Sequence, residues 1–252
     1  QNEPQAEKYI HPYMMGKDFI ARKSRYCLWL KDILPSELKK YPKIMERVKN
    51  VREFRLSCPS PDTNHYADKP TFPVRLRYYS EDRINPALAL PKVSSQNRRY
   101  IPMEVIDADV IAGSKLFLIP DISLYLFGVL TSNVHMAWMR TVCGRLKSDY
   151  SYASNVVYNT FPWPEPTDQQ RKKIEQTAQA ILDARALYPD SSLADLYDEL
   201  TMPPELRKAH RQNDMAVMQA YGFTKGSEAY KSEAACVAEL MKRYQKLCEE
   251  QK

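Results

Sequence analysis

Apolar residues recur with two different periods along this chain, and the change between them falls near Trp163. Beyond it, Ile174, Ala178, Ile181 and Leu182 return every three or four positions, the spacing that lays one apolar stripe along a helix. Thr167, with Asp168 in the first turn and Gln170 three residues on, makes a capping-box start. The pattern carries that helix to about Leu187, ahead of Pro189. A second helix is expected after Asp190-Ser191-Ser192, through Leu193, Leu196 and Leu200. A third runs from Pro204 through Leu206, Met215 and Met218 toward Gly222. A fourth covers Ser227 to Glu250, with Ala234, Val237, Leu240, Met241, Tyr244 and Leu247 on one side. Residues 165–252 therefore read as a small helical bundle.

The first part follows another rule. Val74 to Tyr79, Ala87 to Lys92, Arg99 to Ile106 and Leu116 to Ile119 are short strand-like runs, separated by Ser80-Glu81-Asp82 and Ile84-Asn85-Pro86. Leu30 to Arg47 reads as helix with Ser36 as N-cap. Tyr125 to Val142 reads as one apolar helix closed by Gly144 in the C′ position. Phe161-Pro162-Trp163-Pro164-Glu165-Pro166 can continue neither a helix nor a central strand, so the domain boundary is placed there. The expected fold is α+β: a mixed, small-sheet domain over 1–164, then an all-α domain over 165–252.

Charge divides at the same place. Residues 1–164 hold 24 Lys and Arg against 16 Asp and Glu, a net of +8, whereas residues 165–252 hold 13 against 15, a net of −2. The densest stretch, 22–55, has 11 basic and 4 acidic side chains. Such asymmetry points to a polyanionic partner for the first part, nucleic acid above all. Six Gly against eighteen Pro speak against a glycine-rich phosphate cradle. No apolar run reaches the roughly 18 residues of a membrane span. Gln1-Asn2-Glu3-Pro4 has neither an initiator Met nor a signal-peptide pattern and reads as an internal start. Five dispersed cysteines without a C-x-x-C pair fit free thiols in a reducing cytoplasm.

Catalytic signatures are missing. The chain has no G-x-G-x-x-G, P-loop, G-x-S-x-G or H-E-x-x-H. Its four histidines (11, 65, 135, 210) stand singly, so no metal site is expected, and His135, in the apolar stretch around Trp138, reads as a structural core residue. Asp32, Glu37 and Lys39 loosely imitate the acidic pair plus lysine of metal-dependent nucleases, a pattern common by chance. Neither a glycine-rich cofactor turn nor an Asn/Asp-Pro-Pro-aromatic loop, which an amino-methylating enzyme would need, is present.

Two stretches carry a family resemblance. One is Tyr9-Ile10-His11-Pro12-Tyr13-Met14-Met15-Gly16-Lys17-Asp18-Phe19 with Arg25-Tyr26-Cys27-Leu28-Trp29-Leu30. The other runs from Gly128-Val129-Leu130-Thr131-Ser132-Asn133-Val134-His135-Met136-Ala137-Trp138 to Asp149-Tyr150 and on to Ser154-Asn155-Val156-Val157-Tyr158-Asn159-Thr160-Phe161-Pro162-Trp163-Pro164. Together they resemble the region after the catalytic domain in MmeI-type restriction–modification proteins and related adenine-specific DNA methyltransferases. The resemblance implies a bacterial, cytoplasmic target-recognition module for double-stranded DNA. It also implies that S-adenosylmethionine and methyl transfer belong to an upstream domain of the same polypeptide, with no catalytic residue in this chain.

The family's base-reading positions fall near Pro91–Tyr100, which makes Gln96, Asn97, Arg98 and Arg99 the candidate readers. Their chemistry agrees, since Arg pairs bidentately with guanine and Gln or Asn with adenine in the major groove. Lys17, Arg22, Lys23 and Arg25, and then Arg145, Lys147, Ser148 and Tyr150 after the helix end expected at Gly144, suit phosphate contacts. For Arg145 and Lys147, complementing a helix C-terminus is the plainer role. Tyr150, Tyr152, Tyr158, Phe161 and Trp163 are spaced for packing at the seam of the two domains, with base stacking as the other reading. Two other readings stay open: a protein-interaction module whose acidic helical part docks a partner or the catalytic domain, and the metal-dependent nuclease.

Overall fold

The computed structural model describes residues 3–23, 25–73 and 85–250. The strand expected at 74–79 and the turn at 80–82 lie outside them. After a 3-10 turn at Pro4–Tyr9 come β1 (Ile10–Met14), α1 (Gly16–Ala21), β2 (Arg25–Leu28), α2 (Pro35–Leu38), α3 (Pro42–Ser57) and α4 (Pro61–Asn64). Next are β3 (Ala87–Pro91), β4 (Val93–Ser94), β5 (Glu104–Ile106), β6 (Ile111–Ala112), β7 (Leu116–Ile119), α5 (Leu124–Leu130), α6 (Asn133–Val142), β8 (Gly144–Leu146) and β9 (Asp149–Ser151). The remainder is helical: α7 (Asp168–Ala186), α8 (Leu193–Leu196), α9 (Pro204–Ala220), α10 (Glu228–Lys231) and α11 (Glu233–Glu250). The fold is α+β with a helical C-terminal part.

The residues gather into two compact units, one made of 1–14, 24–83 and 109–114, the other of 15–23, 84–108 and 115–252. In the first, β1 is the middle strand of a three-stranded sheet, antiparallel to β2 and parallel to β6. Its core is Ala6, Leu30, Tyr41, Ile44 and Val48. Arg55, 8% exposed, fastens the segment after α3 by donating to the carbonyls of Tyr66, Lys69 and Phe72 at 2.8–2.9 Å. The expected Leu30–Arg47 helix is two helices, each opened by a proline in its first turn. Pro42 cannot donate into a continuing helix, so α2 stops before it, and Ser36 lies inside α2 rather than capping it.

In the second unit β3 is buried along its whole length between β5 and β7, and β4, β9 and β8 form a further small sheet. Only Glu104–Ile106 of the expected Arg99–Ile106 strand is strand; Tyr100 to Met103 is buried irregular chain. Helices α5, α6, α7 and α9 pack on one another, and α5 comes close to α7 and α9 at Gly128. A Cβ there would lie 2.7 Å from Ile174 Cγ2 and 3.1 Å from both Ala178 Cβ and Asn213 Oδ1. The Asn213 amide spans the crossing, donating to the Gly128 carbonyl at 2.8 Å and accepting from Thr177 Oγ1 at 3.1 Å.

The long apolar helix expected over 125–142 is interrupted. Ser132 adopts an extended conformation and accepts from the His135 amide as N-cap of α6. Cys143 leaves α6 extended, and Gly144 begins β8 instead of closing the helix. A glycine does close α9: Gly222 has φ +76°, with Gly222 N–H donating to Gln219 and Phe223 N–H to Met218. α8 is a single turn, and Leu200, expected on its apolar side, is 93% exposed. Extended Ser232 breaks the expected 227–250 helix into α10 and α11.

The capping box at α7 is formed as expected. Thr167 Oγ1 accepts from Gln170 N–H at 3.3 Å and Gln170 Oε1 accepts from Thr167 N–H at 2.9 Å. Thr167→Ala is expected to lower unfolding stability by about 1 kcal/mol, measurable by urea denaturation; an unchanged midpoint would show the cap to be idle.

Candidate nucleic-acid interface

Residues 95–99 leave β4 as a tight turn. Arg98 N–H donates to the Ser95 carbonyl at 3.1 Å, Asn97 N–H to Ser95 Oγ at 3.3 Å and Gln96 N–H to Asp149 Oδ1 at 3.4 Å. Three consecutive backbone N–H groups are thus tied down, while Arg99 Nε donates to Tyr100 Oη at 3.2 Å. Gln96, Asn97 and Arg99 are exposed and Arg98 is half-buried. All four line one cavity of about 590 Å³, together with Asn133, Arg140, Glu199, Tyr230 and Glu233. Burial lowers the Arg98 pKa, against the pull of Asp198 and Asp149, and its Nε has no hydrogen-bond partner.

The turn is not the tip of a hairpin, as two strands flanking it would have made it. On its far side Tyr100 is buried, with its ring stacked on His210 at 4.2 Å between centroids. Its hydroxyl donates to Asp214 Oδ2 at 2.7 Å, while Asp214 Oδ1 accepts from Asn133 N–H at 2.8 Å in the first turn of α6. Burial raises the Asp214 carboxyl to about 6, opposed by those hydrogen bonds and by Arg99 and Arg140.

The phosphate candidates divide by what holds them. Arg145 and Lys147 sit on the β8–β9 hairpin, not at a helix end as expected, because α6 has already ended at Val142. Lys147 takes φ +57° at the turn, and Arg145 lies 3.9 Å over the Tyr150 ring while donating to the Ser148 carbonyl at 2.9 Å. Tyr150 is 8% exposed, so it is the platform under Arg145. Because β9 also pairs with β4, with Ser94 opposite Tyr150 and Val93 opposite Ser151, the hairpin and the 95–99 turn share one sheet. Lys17 in α1 and Lys23 just after it are exposed. Arg22 is engaged internally, by Glu104 at 2.7 Å and the Ser191 carbonyl at 3.0 Å. Arg25, on β2 of the other unit, lies over the Tyr13 ring at 5.5 Å.

His135 is fully buried. Its Nε2 shares a 3.1 Å hydrogen bond with Tyr152 Oη, and burial pushes its pKa down to about 3. The aromatic run packs within the second unit: Phe161 sits against His135, Trp138, Trp163 and Tyr221, and Tyr221 Oη donates to the Pro162 carbonyl at 2.8 Å. Glu37 is paired with Lys8, and among the described residues no three His, Cys, Asp or Glu side chains are grouped to hold a metal ion. Nor is any described helix long and apolar enough to cross a membrane. Sequence reasoning missed Arg140, Glu233, Tyr100 and Asp214 as parts of this site. Their partners lie 93 and 114 residues away, and no local pattern marks such pairs.

Family models described as the MmeI target recognition domain and the MmeI C-terminal domain match residues 1–165 and 166–251. DNA methyltransferase A of Bacillus subtilis (strain 168) is 35% identical over 246 residues, covering 98% of this chain and 27% of that protein. The solved structure of the Type IIL restriction-modification enzyme MmeI in complex with DNA is 43% identical, with a TM-score of 0.89, covering 98% of this chain and 32% of that one. The chain thus spans about a third or less of the length of these relatives.

Proposed function

This chain belongs to the MmeI family, to its target-recognition and C-terminal domains, and from that membership we propose that it reads DNA sequence for a restriction–modification DNA methyltransferase. The carrying observation is the 95–99 turn: Gln96, Asn97, Arg98 and Arg99 are presented together at one cavity, on a backbone whose N–H groups at 96, 97 and 98 are each hydrogen-bonded. Gln96, Asn97 and the two arginines have the donor and acceptor forks that distinguish base edges in the major groove. Arg145 and Lys147 on the same sheet, with Lys17 and Lys23, supply phosphate contacts that set register without reading sequence. Tyr150 supports Arg145, and the Ser148 carbonyl fixes it. Residues 1–164 read the duplex and residues 165–252 support them.

The methyl donor, S-adenosylmethionine, is assigned to an upstream domain of the same polypeptide, where the target adenine leaves the duplex for its chemistry. The residues here do not fit that cofactor, since no strand-to-helix turn among the described residues carries more than one glycine. Such an enzyme acts in the bacterial cytoplasm, where its DNA is.

Binding of duplex DNA to the 252-residue chain, followed by anisotropy across a salt series, is expected to weaken steeply with salt. Lys17→Ala or Arg145→Ala is expected to weaken all duplexes alike and to reduce the slope by about one each. Exchanging Gln96 and Arg98 is expected to change which duplexes are preferred. No affinity at low salt would end this reading, and an unchanged preference after the exchange would remove these two side chains from it.

A further inference from the structure

Arg140 projects from α6 beneath the exit of the 95–99 turn, and its guanidinium is spent on two partners at once. Nη1 donates to the Arg99 carbonyl at 3.1 Å. Nε and Nη2 form a two-pronged pair with Glu233 Oε1 and Oε2, each at 2.9 Å. Glu233 is the first residue of α11, immediately after the Ser232 break, so the kink between α10 and α11 brings this carboxylate to face α6. The Arg140 side chain is 19% exposed and that of Glu233 52%. A pair so open to water adds little to stability. What it fixes is geometry: a planar guanidinium held by both carboxylate oxygens cannot swing, and its third donor then points at one backbone carbonyl.

We propose that Arg140 and Glu233 are positioning residues for sequence reading, a clamp by which the helical C-terminal part sets the backbone of the base-reading turn. This rests on the reading of 96–99 as the DNA-reading segment. The clamp is one of two anchors on the same side of the turn. The other is Tyr100, whose hydroxyl reaches Asp214 on α9. On the other side the turn is held by the β4–β9 pairing and by Asp149. With the Arg99 carbonyl released, the side chains of 96–99 keep their chemistry but lose a fixed origin. Bidentate base contacts tolerate little displacement, so discrimination falls even though no DNA-touching group has been removed. Neither Arg140 nor Glu233 has to contact DNA for this.

The test is enrichment of bound duplexes from a pool with a randomised segment, at low salt, with the 252-residue chain, alongside thermal unfolding. Arg140→Ala is expected to reduce base preference roughly tenfold at the positions whose preference also moves when Gln96 and Arg98 are exchanged, and by less than about twofold elsewhere. The swapped pair Arg140→Glu with Glu233→Arg restores the ion pair but leaves no donor for the Arg99 carbonyl. All these variants are expected to keep a melting temperature close to that of the wild type, and the swapped pair is expected not to regain the discrimination. Discrimination recovered by the swapped pair, a loss of discrimination that follows a lowered melting temperature, a uniform loss at every position, or an unchanged motif in Arg140→Ala each overturns the clamp. A wild-type chain that enriches no motif removes the reading itself, and the clamp with it.

Discussion

Between pH 6 and pH 4 the chain is expected to lose stability as the solution is acidified, with two buried histidines as the cause. His135 is completely buried and its pKa is pushed down to about 3. His210, also completely buried, lies between the Tyr100 ring and the Tyr197 hydroxyl, and burial, Arg185 and Arg99 hold it well below its ordinary value. The unfolded chain protonates both near pH 6.5, whereas burial in the folded chain opposes the protonation of each. Their contribution is therefore complete above that pH and is lost as pH falls toward the folded values. Asp214 acts with the opposite sign. Its carboxyl is raised to about 6, so the stability it gives is present below the ordinary carboxylate value and lost as pH rises through 6. Over this window the two histidines favour unfolding on acidification and Asp214 opposes them, so the histidines set the net direction. Urea midpoints at several pH values measure it. His135→Gln, which keeps a partner for Tyr152 and cannot titrate, is expected to flatten the slope; a slope equal to that of the wild type would remove His135 as a cause.

Gly128→Val is expected to destabilise the second unit by about 3 kcal/mol, through overpacking. The new Cβ alone would meet Ile174 Cγ2 at 2.7 Å, and the branches would push on Asn213, whose amide and carbonyl oxygen are both committed across the α5–α7–α9 crossing. Gly144→Ala is the matched control. No atom lies within 4 Å of the Cβ it would add, and its φ is not in the left-handed range, so it is expected to be neutral within a few tenths of a kcal/mol. Equal midpoints for the two variants would show that the close approach at Gly128 carries no weight.

Much of this architecture was legible where its causes are local. Thr167 with Gln170, the prolines at 35, 42 and 204, and Gly222 after α9 each act through the backbone within a few residues, and the sequence marks them directly. The breaks at Ser132 and Ser232 were not read, because in each case one small polar residue interrupts a periodicity that continues on both sides. Strand length was overestimated after Tyr100 for a related reason. Tyr100, Ile101 and Met103 are apolar because they are buried, not because they pair. Of the candidate interface, the turn at 95–99 and the basic residues could be singled out from residue type and family resemblance. The sheet that joins that turn to the Arg145 hairpin, and the anchors from Arg140 and Asp214, depend on which distant segments meet.

The two compact units are not consecutive pieces of chain. The backbone passes from one to the other five times, at 14/15, 23/24, 83/84, 108/109 and 114/115. No single cut can release either unit, and no contiguous fragment holds all of the first without taking part of the second. A chimaera that exchanges the first unit with that of a relative by one splice point would therefore import a severed piece. Exchange of the first unit by recombination is confined to blocks that carry all five crossings together, which leaves point substitution as the open route for change within it.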